Sequence, residues 1–529
     1  MRSRWTLKVL RRLIGRLIAE ERSSHPDRLG ESDRSRRAFV AGVAVSATAL
    51  AACPSRGARV FSDAMAPRIA ILGAGMAGLL ACDTLRKAGL SATVYEARKR
   101  VGGRVLSDRR FNPSDPDRRA VELGGEFIDT DHTLMLALAA ELGLQVFDSA
   151  AAAQLDVTYW FEGERHSEAA IVAAFMPIAR AIMLARAEIA IPLDEIAYDH
   201  LNAAAERYDR MSLAEFCAYA GASKLATAVI ESAYGGEFGL ELAQQSSLNL
   251  IVMLADDDLI EATGAGVWAV YGSSDERYKI HGGNDRVPKG LADRNRAAIQ
   301  LERPLTRVEA STGGTYRLSF ASGPDVTADI VICTLPFSVL RDIELDLPIR
   351  PLKRRAIAEL GYGTNSKLIV PFDRPVWEEH GDDGSVYGDG EVLSVWAPLF
   401  GQGEGPVALT QFRAGAQGAA LGTSSDDEAR FIEAAERLWP GLGAARGAAP
   451  ALRITWPQDP WSKGSYACYK PGQWTAFGGI EGEPEGRFLF AGEHTSREFQ
   501  GYMEGAARTG RRAAEEAIAL ATAGLAIGR

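Results

Sequence analysis

The stretch RIAILGAGMAGLLACDTLRKAGLSATVYEARKRVGGR, residues 68–104, carries the residue types of a dinucleotide site at the spacing such a site needs. Gly73, Gly75 and Gly78 form G-x-G-x-x-G. Gly73 permits a tight turn, Gly75 lets backbone approach a pyrophosphate, and Gly78 lets a helix pack closely on a strand. Met76 and Ala77 then open a helix whose free N–H groups and partial positive charge suit phosphates. Glu96, with Ala97 beside it, follows Gly78 by 18 residues, where a carboxylate accepts from both ribose hydroxyls and repels a 2′-phosphate. Gly102, Gly103 and Arg104 make a second phosphate-approaching loop with a bidentate donor. Gly125 and Glu126, in ELGGEFID, add a further glycine pair and an acid. Repeated sites of close backbone approach suit a long cofactor buried lengthwise, as FAD is, better than a dissociable nicotinamide.

These residues demand particular elements. A strand over 68–72, a helix over 76–87 stopped by Gly89, and a strand over 92–95 place the glycines and Glu96. Residues 151–275 are Ala-rich and helical by period, with one or two amphipathic helices over 167–191. Strands return at 316–320 and 330–334. Runs at 367–372 and 408–412 predict a second, antiparallel sheet, with a helix over 428–438.

At 529 residues the chain exceeds what one core sustains. A formal charge of −10 argues against nucleic acid as a partner and is compatible with cationic small molecules. The five cysteines, at 53, 82, 217, 333 and 468, show no metal-ligand spacing, so neither a metal site nor a disulfide framework is expected. SRRAFVAGVAVSATALAAC, residues 35–53, fits a twin-arginine export signal, its apolar run too short to span a bilayer. Its last four residues resemble a lipobox, which would make Cys53 a lipid anchor. The expected location is the periplasm or cell envelope, and a homo-oligomer stays open.

The second informative stretch, FLFAGEHTSREFQGYMEGAARTGRRAAEE, lies at 488–516. Together with the first it resembles the flavin-dependent amine oxidase family, which includes monoamine and polyamine oxidases, L-amino-acid oxidases and histone demethylases. The resemblance spans roughly residues 66–520. It implies an α/β fold: a discontinuous Rossmann-type FAD-binding domain (66–150, 276–345 and 456–529) and an α+β substrate-binding domain (151–275 and 346–455), after a leader over 1–53. By the same resemblance, Glu493 bonds the sugar-phosphate part of FAD, beside Gly492. Gly501, Tyr502 and Met503 approach the pyrophosphate and isoalloxazine, the backbone of Val308 holds adenine, and Trp456 walls the flavin.

The family also implies the catalytic groups. It places a lysine, bonded through water to flavin N5, eight residues before a G-[FY]-G element, which here selects Lys353 before Gly361. Tyr466 and Tyr502 resemble the aromatic cage that steers an amine toward the flavin. Ser465 stands where monoamine oxidases carry a cysteine joined to FAD, so the cofactor is expected to be non-covalent. Snake-venom-type L-amino-acid oxidases clamp the substrate carboxylate with an arginine after the second glycine pair. GGEFIDTDH has none, and Glu126 offers a negative charge for a second cationic group instead. The leading expectation is oxidation of a primary or secondary amine by hydride transfer to flavin N5, with oxygen or another acceptor, giving imine, carbonyl, ammonia and hydrogen peroxide. The alternatives are an oxidase of basic L-amino acids such as arginine or lysine, suggested by GGEFID with SDERYKIHGGNDRVP, and a flavin desaturase. Such a cofactor is inserted during folding in the cytoplasm, which would explain a leader for folded export.

Overall fold

The computed structural model describes residues 66–110, 119–149, 156–253, 276–403, 405–422, 424 and 426–527. The expected leader and Cys53 lie outside them.

At the centre is a five-stranded parallel sheet whose strands come from far apart in the chain. In spatial order they are Phe488–Phe490, Ile330–Cys333, Ile69–Leu72, Ala92–Tyr95 and Ile299–Gln300. Strand Ile69–Leu72 is buried on both faces because its side chains alternate between two cores. Ile69 and Ile71 pack under the helices, whereas Ala70 and Leu72 face a four-stranded sheet. That second sheet runs Val326–Ala328, Tyr316–Phe320, Leu305–Ala310 and Glu344–Asp346.

Two helices cover the first face. Met76–Lys87 follows the central strand, and the long final helix, Met503–Ile527, lies against it. Their approach is close enough that a Cβ on Gly510 would collide with the carbonyl oxygen of Ala77. Glu504, fully buried in the first turn of the final helix, accepts from Leu134 N and Met135 N at 3.1 and 2.8 Å. It thereby caps helix Thr133–Glu141, whose own N-cap supplies no side-chain bond.

The seven-stranded sheet runs Leu452–Thr455, Ser366–Phe372, Val407–Arg413, Ser394–Trp396, Asp382–Gly388, Asp156–Phe161 and Glu164–His166. It is mixed rather than antiparallel throughout, since Asp382–Gly388 pairs with Asp156–Phe161 in parallel. Its last two strands correct the helical reading of 151–275. DVTYWF is β-branched and aromatic, and Glu162-Gly163, both at positive φ (55° and 78°), turns it into a hairpin with ERH. Beyond the hairpin the chain is helical from Glu168–Ile189 to Ser247–Met253, interrupted by a π-turn at Glu231–Gly235. Among the described residues no helix is long and apolar enough to cross a membrane.

Candidate functional site

A long cavity of about 1210 Å³, part of it open to solvent, runs from the C-terminal edge of the parallel sheet toward the seven-stranded sheet. One end is built from backbone. Gly73 (φ +102°) makes the turn after the central strand, and a Cβ there would lie 2.6 Å from Thr334 Oγ1. Gly78 packs helix on strand so tightly that a Cβ would strike the carbonyl oxygen of Gly73. Gly75 differs from both. Its backbone is extended (φ −78°, ψ −173°), a conformation open to any residue, and a Cβ would meet nothing within 4 Å. Nothing in the protein requires glycine there, so the requirement comes from what enters the cavity.

The helix that starts at Met76 has no side-chain cap and no acid in its first turn, leaving its amides to an anion. Gly102 N donates to Ala74 O at 2.8 Å, joining the second glycine loop to the first. Glu96 Oε2 accepts from Ala74 N (2.8 Å) and Oε1 from Arg98 N (2.9 Å). These bonds aim the carboxylate and leave lone pairs for hydroxyl donors. Arg98 in turn clasps Asp459 at 2.6 and 2.7 Å, holding the loop whose Trp461 and Ser462 line the cavity.

Glu493 knots the middle. Arg104 Nη1 donates to its Oε1 (3.0 Å) and to Ser465 O (2.6 Å), and Gly501 N donates to its Oε2 (2.9 Å). Arg104 and Glu493 are 389 positions apart, yet both line the cavity with Gly492 and Gly501.

The far end is aromatic and charged. Tyr466 and Tyr502 both line it, the first donating to Gly236 O (3.2 Å), the second to Glu237 Oε1 (3.3 Å). Desolvation in its partly buried position pushes the Tyr466 phenol well above its usual range, so it stays neutral. Trp456 Nε1 donates to Leu123 O at 3.1 Å and sets the ring against Gly124. Gly125 abuts Met503, and Gly103, Met76, Ala77 and Ala97 also border the cavity.

Three expectations are corrected. Lys353 is not at the cavity: its Nζ donates to Glu481 O (2.9 Å) and Glu483 O (2.7 Å), 4.0 Å above the Phe490 ring. Burial lowers its pKa to about 7. The lysine that lines the cavity is Lys367, because the chain passes Gly361–Gly363 and reaches the site only at Asn365. Val308 is fully buried in the four-stranded sheet, and the segment beside Glu96 is instead Arg303, whose N donates to Glu96 O. Glu126 is not among the residues that line the cavity but is bonded to Lys367 and Lys279 at 2.7 Å each, so it is neutralised within the protein. Gly78 packs helix on strand as expected and is not among the residues that line the cavity.

Asn365, Thr334, Phe412 and Trp461, all outside the motifs that mark the site in the sequence, also line the cavity. Asn365 accepts from Ser465 Oγ (2.6 Å) and donates to Gly236 O (2.7 Å). The anion-ready helix start, the open space at Gly75 and the ribose-ready Glu96 fit FAD. No cysteine is among the described residues that line the cavity, which fits a cofactor held without a thioether.

The family model described as flavin containing amine oxidoreductase matches residues 76–518. The chain is 26% identical to dog amine oxidase [flavin-containing] B over 471 residues, covering 85% of this chain and 86% of that one. It is 26% identical to a mouse L-amino-acid oxidase over 481 residues, 84% and 70% of the two chains. A solved putrescine oxidase bound to putrescine shares the fold, with a TM-score of 0.72 at 23% identity over 86% of this chain and 99% of that chain.

Proposed function

Since the chain belongs to the flavin-containing amine oxidoreductase family and its cofactor is FAD, we propose that it oxidises a primary or secondary amine lacking a carboxylate. The observation that carries this reading is the far end of the cavity: two tyrosines, one bonded to the buried carboxylate of Glu237. The cations among the described lining residues support it, because each is already paired. Arg98 holds Asp459, Arg104 holds Glu493, and Lys367 holds Glu126. A substrate carboxylate finds no uncommitted partner among them, whereas an amine finds two tyrosine ring faces, one of them backed by the Glu237 carboxylate.

FAD held in the cavity would supply the two-electron acceptor for hydride from the carbon that bears the amine. Glycine amides and the start of helix Met76–Lys87 hold its phosphates, and Glu96 holds the ribose. Tyr466 and Tyr502, their hydroxyls tied to Gly236 and Glu237, orient the neutral amine, and burial excludes water. Oxygen would receive the two electrons and two protons as hydrogen peroxide, and water would hydrolyse the imine to a carbonyl with ammonia, or with a primary amine where the substrate is secondary.

The test is anaerobic bleaching of the yellow protein by amines and by L-amino acids in parallel. Bleaching by monoamines or diamines alone is expected. Bleaching by arginine or lysine instead would replace this reading with a basic L-amino-acid oxidase. The 35–53 stretch extends the proposal to folded export, and retention of the protein in the cytoplasmic fraction of its own cells would refute that part.

A further inference from the structure

Beside the aromatic end lies a buried group of charges of which only Lys367 reaches the cavity. Lys367, 1% exposed, projects from strand Ser366–Phe372. Its Nζ donates to Glu122 O (2.8 Å), Gly124 O (3.0 Å) and Glu126 Oε2 (2.7 Å). All three ammonium protons are thereby committed, so Lys367 presents a charge to the cavity rather than a free donor, and Glu126 works against the burial that lowers its pKa. The other carboxylate oxygen of Glu126 accepts from Lys279 Nζ (2.7 Å) and from Trp396 Nε1 (3.0 Å). Lys279 also donates to Pro398 O (3.2 Å) and lies 4.6 Å from the centre of the Phe127 ring.

Two ammonium groups and one carboxylate leave one positive charge in excess. Burying such a triad contributes little to stability, since desolvation offsets the attraction between its members. A Lys367–Glu126 pair alone would already be complete. The neighbouring Glu122 carboxyl accepts from Asn284 N (2.8 Å) and Ser107 Oγ (2.7 Å), and burial raises its pKa to about 7, so it leaves the excess uncancelled below that pH.

We propose that Lys279 is a positioning residue for charge: acting through Glu126, it offsets the carboxylate so that Lys367 keeps a net positive field on the reacting end of the cavity. A positive field there favours negative charge on the bound isoalloxazine. This inference rests on the cavity holding FAD as proposed above.

The experiment titrates the FAD-loaded full-length protein with sulfite, an anion that adds to oxidised flavin and bleaches it, and measures its dissociation constant. Lys279→Gln is expected to weaken sulfite binding by about tenfold, roughly 1.4 kcal/mol. Lys279→Arg, which keeps the charge, is expected to stay within about twofold of the natural protein. Equal weakening by both variants, or failure of both to retain FAD, would overturn the proposal, since packing and not charge would then be what Lys279 supplies. Unchanged affinity in Lys279→Gln would overturn it too. A natural protein that binds no FAD at all fails the earlier reading instead, so the two failures are distinguishable.

Discussion

The two ends of the cavity are built from different materials. At the phosphate end the chain offers main-chain amides, a helix start and glycines whose missing side chains make room. At the reacting end it offers whole side chains held by other side chains: Lys367 by Glu126, Glu126 by Lys279 and Trp396, Tyr502 by Glu237. A backbone site is specified within a few consecutive residues. A side-chain site depends on partners such as Glu126 and Lys279, 153 positions apart.

Substitutions that separate fold from ligand test this contrast. The largest effect is expected from Gly78→Ala, whose Cβ meets main chain rather than a movable side chain. It should abolish soluble, flavin-loaded protein, read as loss of the visible flavin absorbance and of a cooperative melt. Lys367→Met comes next, with an expected fall in kcat/KM of about a hundredfold, roughly 2.7 kcal/mol of transition-state stabilisation. Retained activity would take Lys367 out of the reacting end. Gly75→Ala, three residues before Gly78, should leave the melting temperature of the apoprotein unchanged while weakening FAD binding by about tenfold. If both glycine variants lose stability alike, the division between structural and ligand-facing glycines fails.

The charged end should also carry a pH signature. Burial raises the Glu122 carboxyl from its usual 4.5 to about 7, so the folded protein binds more protons than the unfolded chain in that window. Stability from this group therefore declines as pH rises from 4.5 to 7, and the full loss is felt above 7. Glu122→Gln should remove the decline. Its advantage over the natural protein should be larger at pH 8 than at pH 4 by about 1–3 kcal/mol, measured by denaturant unfolding. The smallest kinetic effect is expected from Lys353→Met, with kcat/KM within about twofold of the natural protein. Its cost should appear only in the melt, because two carbonyls lose their donor.

Legibility in the sequence follows the same division. Gly73 to Gly78, Glu96, Gly102 to Arg104 and Glu493 could be read because each motif is local and its chemistry dictates its spacing. Lys367 could not. It sits in NSKLIVPF, a strand buried at every position, where alternation carries no signal and a lysine looks like an interruption. Counting back from Gly361 selected Lys353 instead, which projects from helix Pro351–Glu359 away from the site. Glu126 was visible as an acid after a glycine pair, but its neutralisation by two lysines was not, since neither lies near it in the chain. The Glu162-Gly163 hairpin was missed for another reason: a two-residue turn is easily lost beside a long alanine-rich helix.

The parallel sheet also sets a timetable. Its central strand, Ile69–Leu72, pairs with Ile330–Cys333, about 260 residues later in synthesis. At about 5–20 residues per second, the ribosome takes roughly 13–52 s to deliver that neighbour. The strand beside it, Phe488–Phe490, and the helix that covers both arrive later still. Through that interval an apolar strand made of Ile, Ala, Ile and Leu waits with one edge unpaired, the kind of segment that recruits another nascent chain. Producing this protein in quantity is thus a race between elongation and aggregation, and slower growth at high chaperone supply is the condition that favours it.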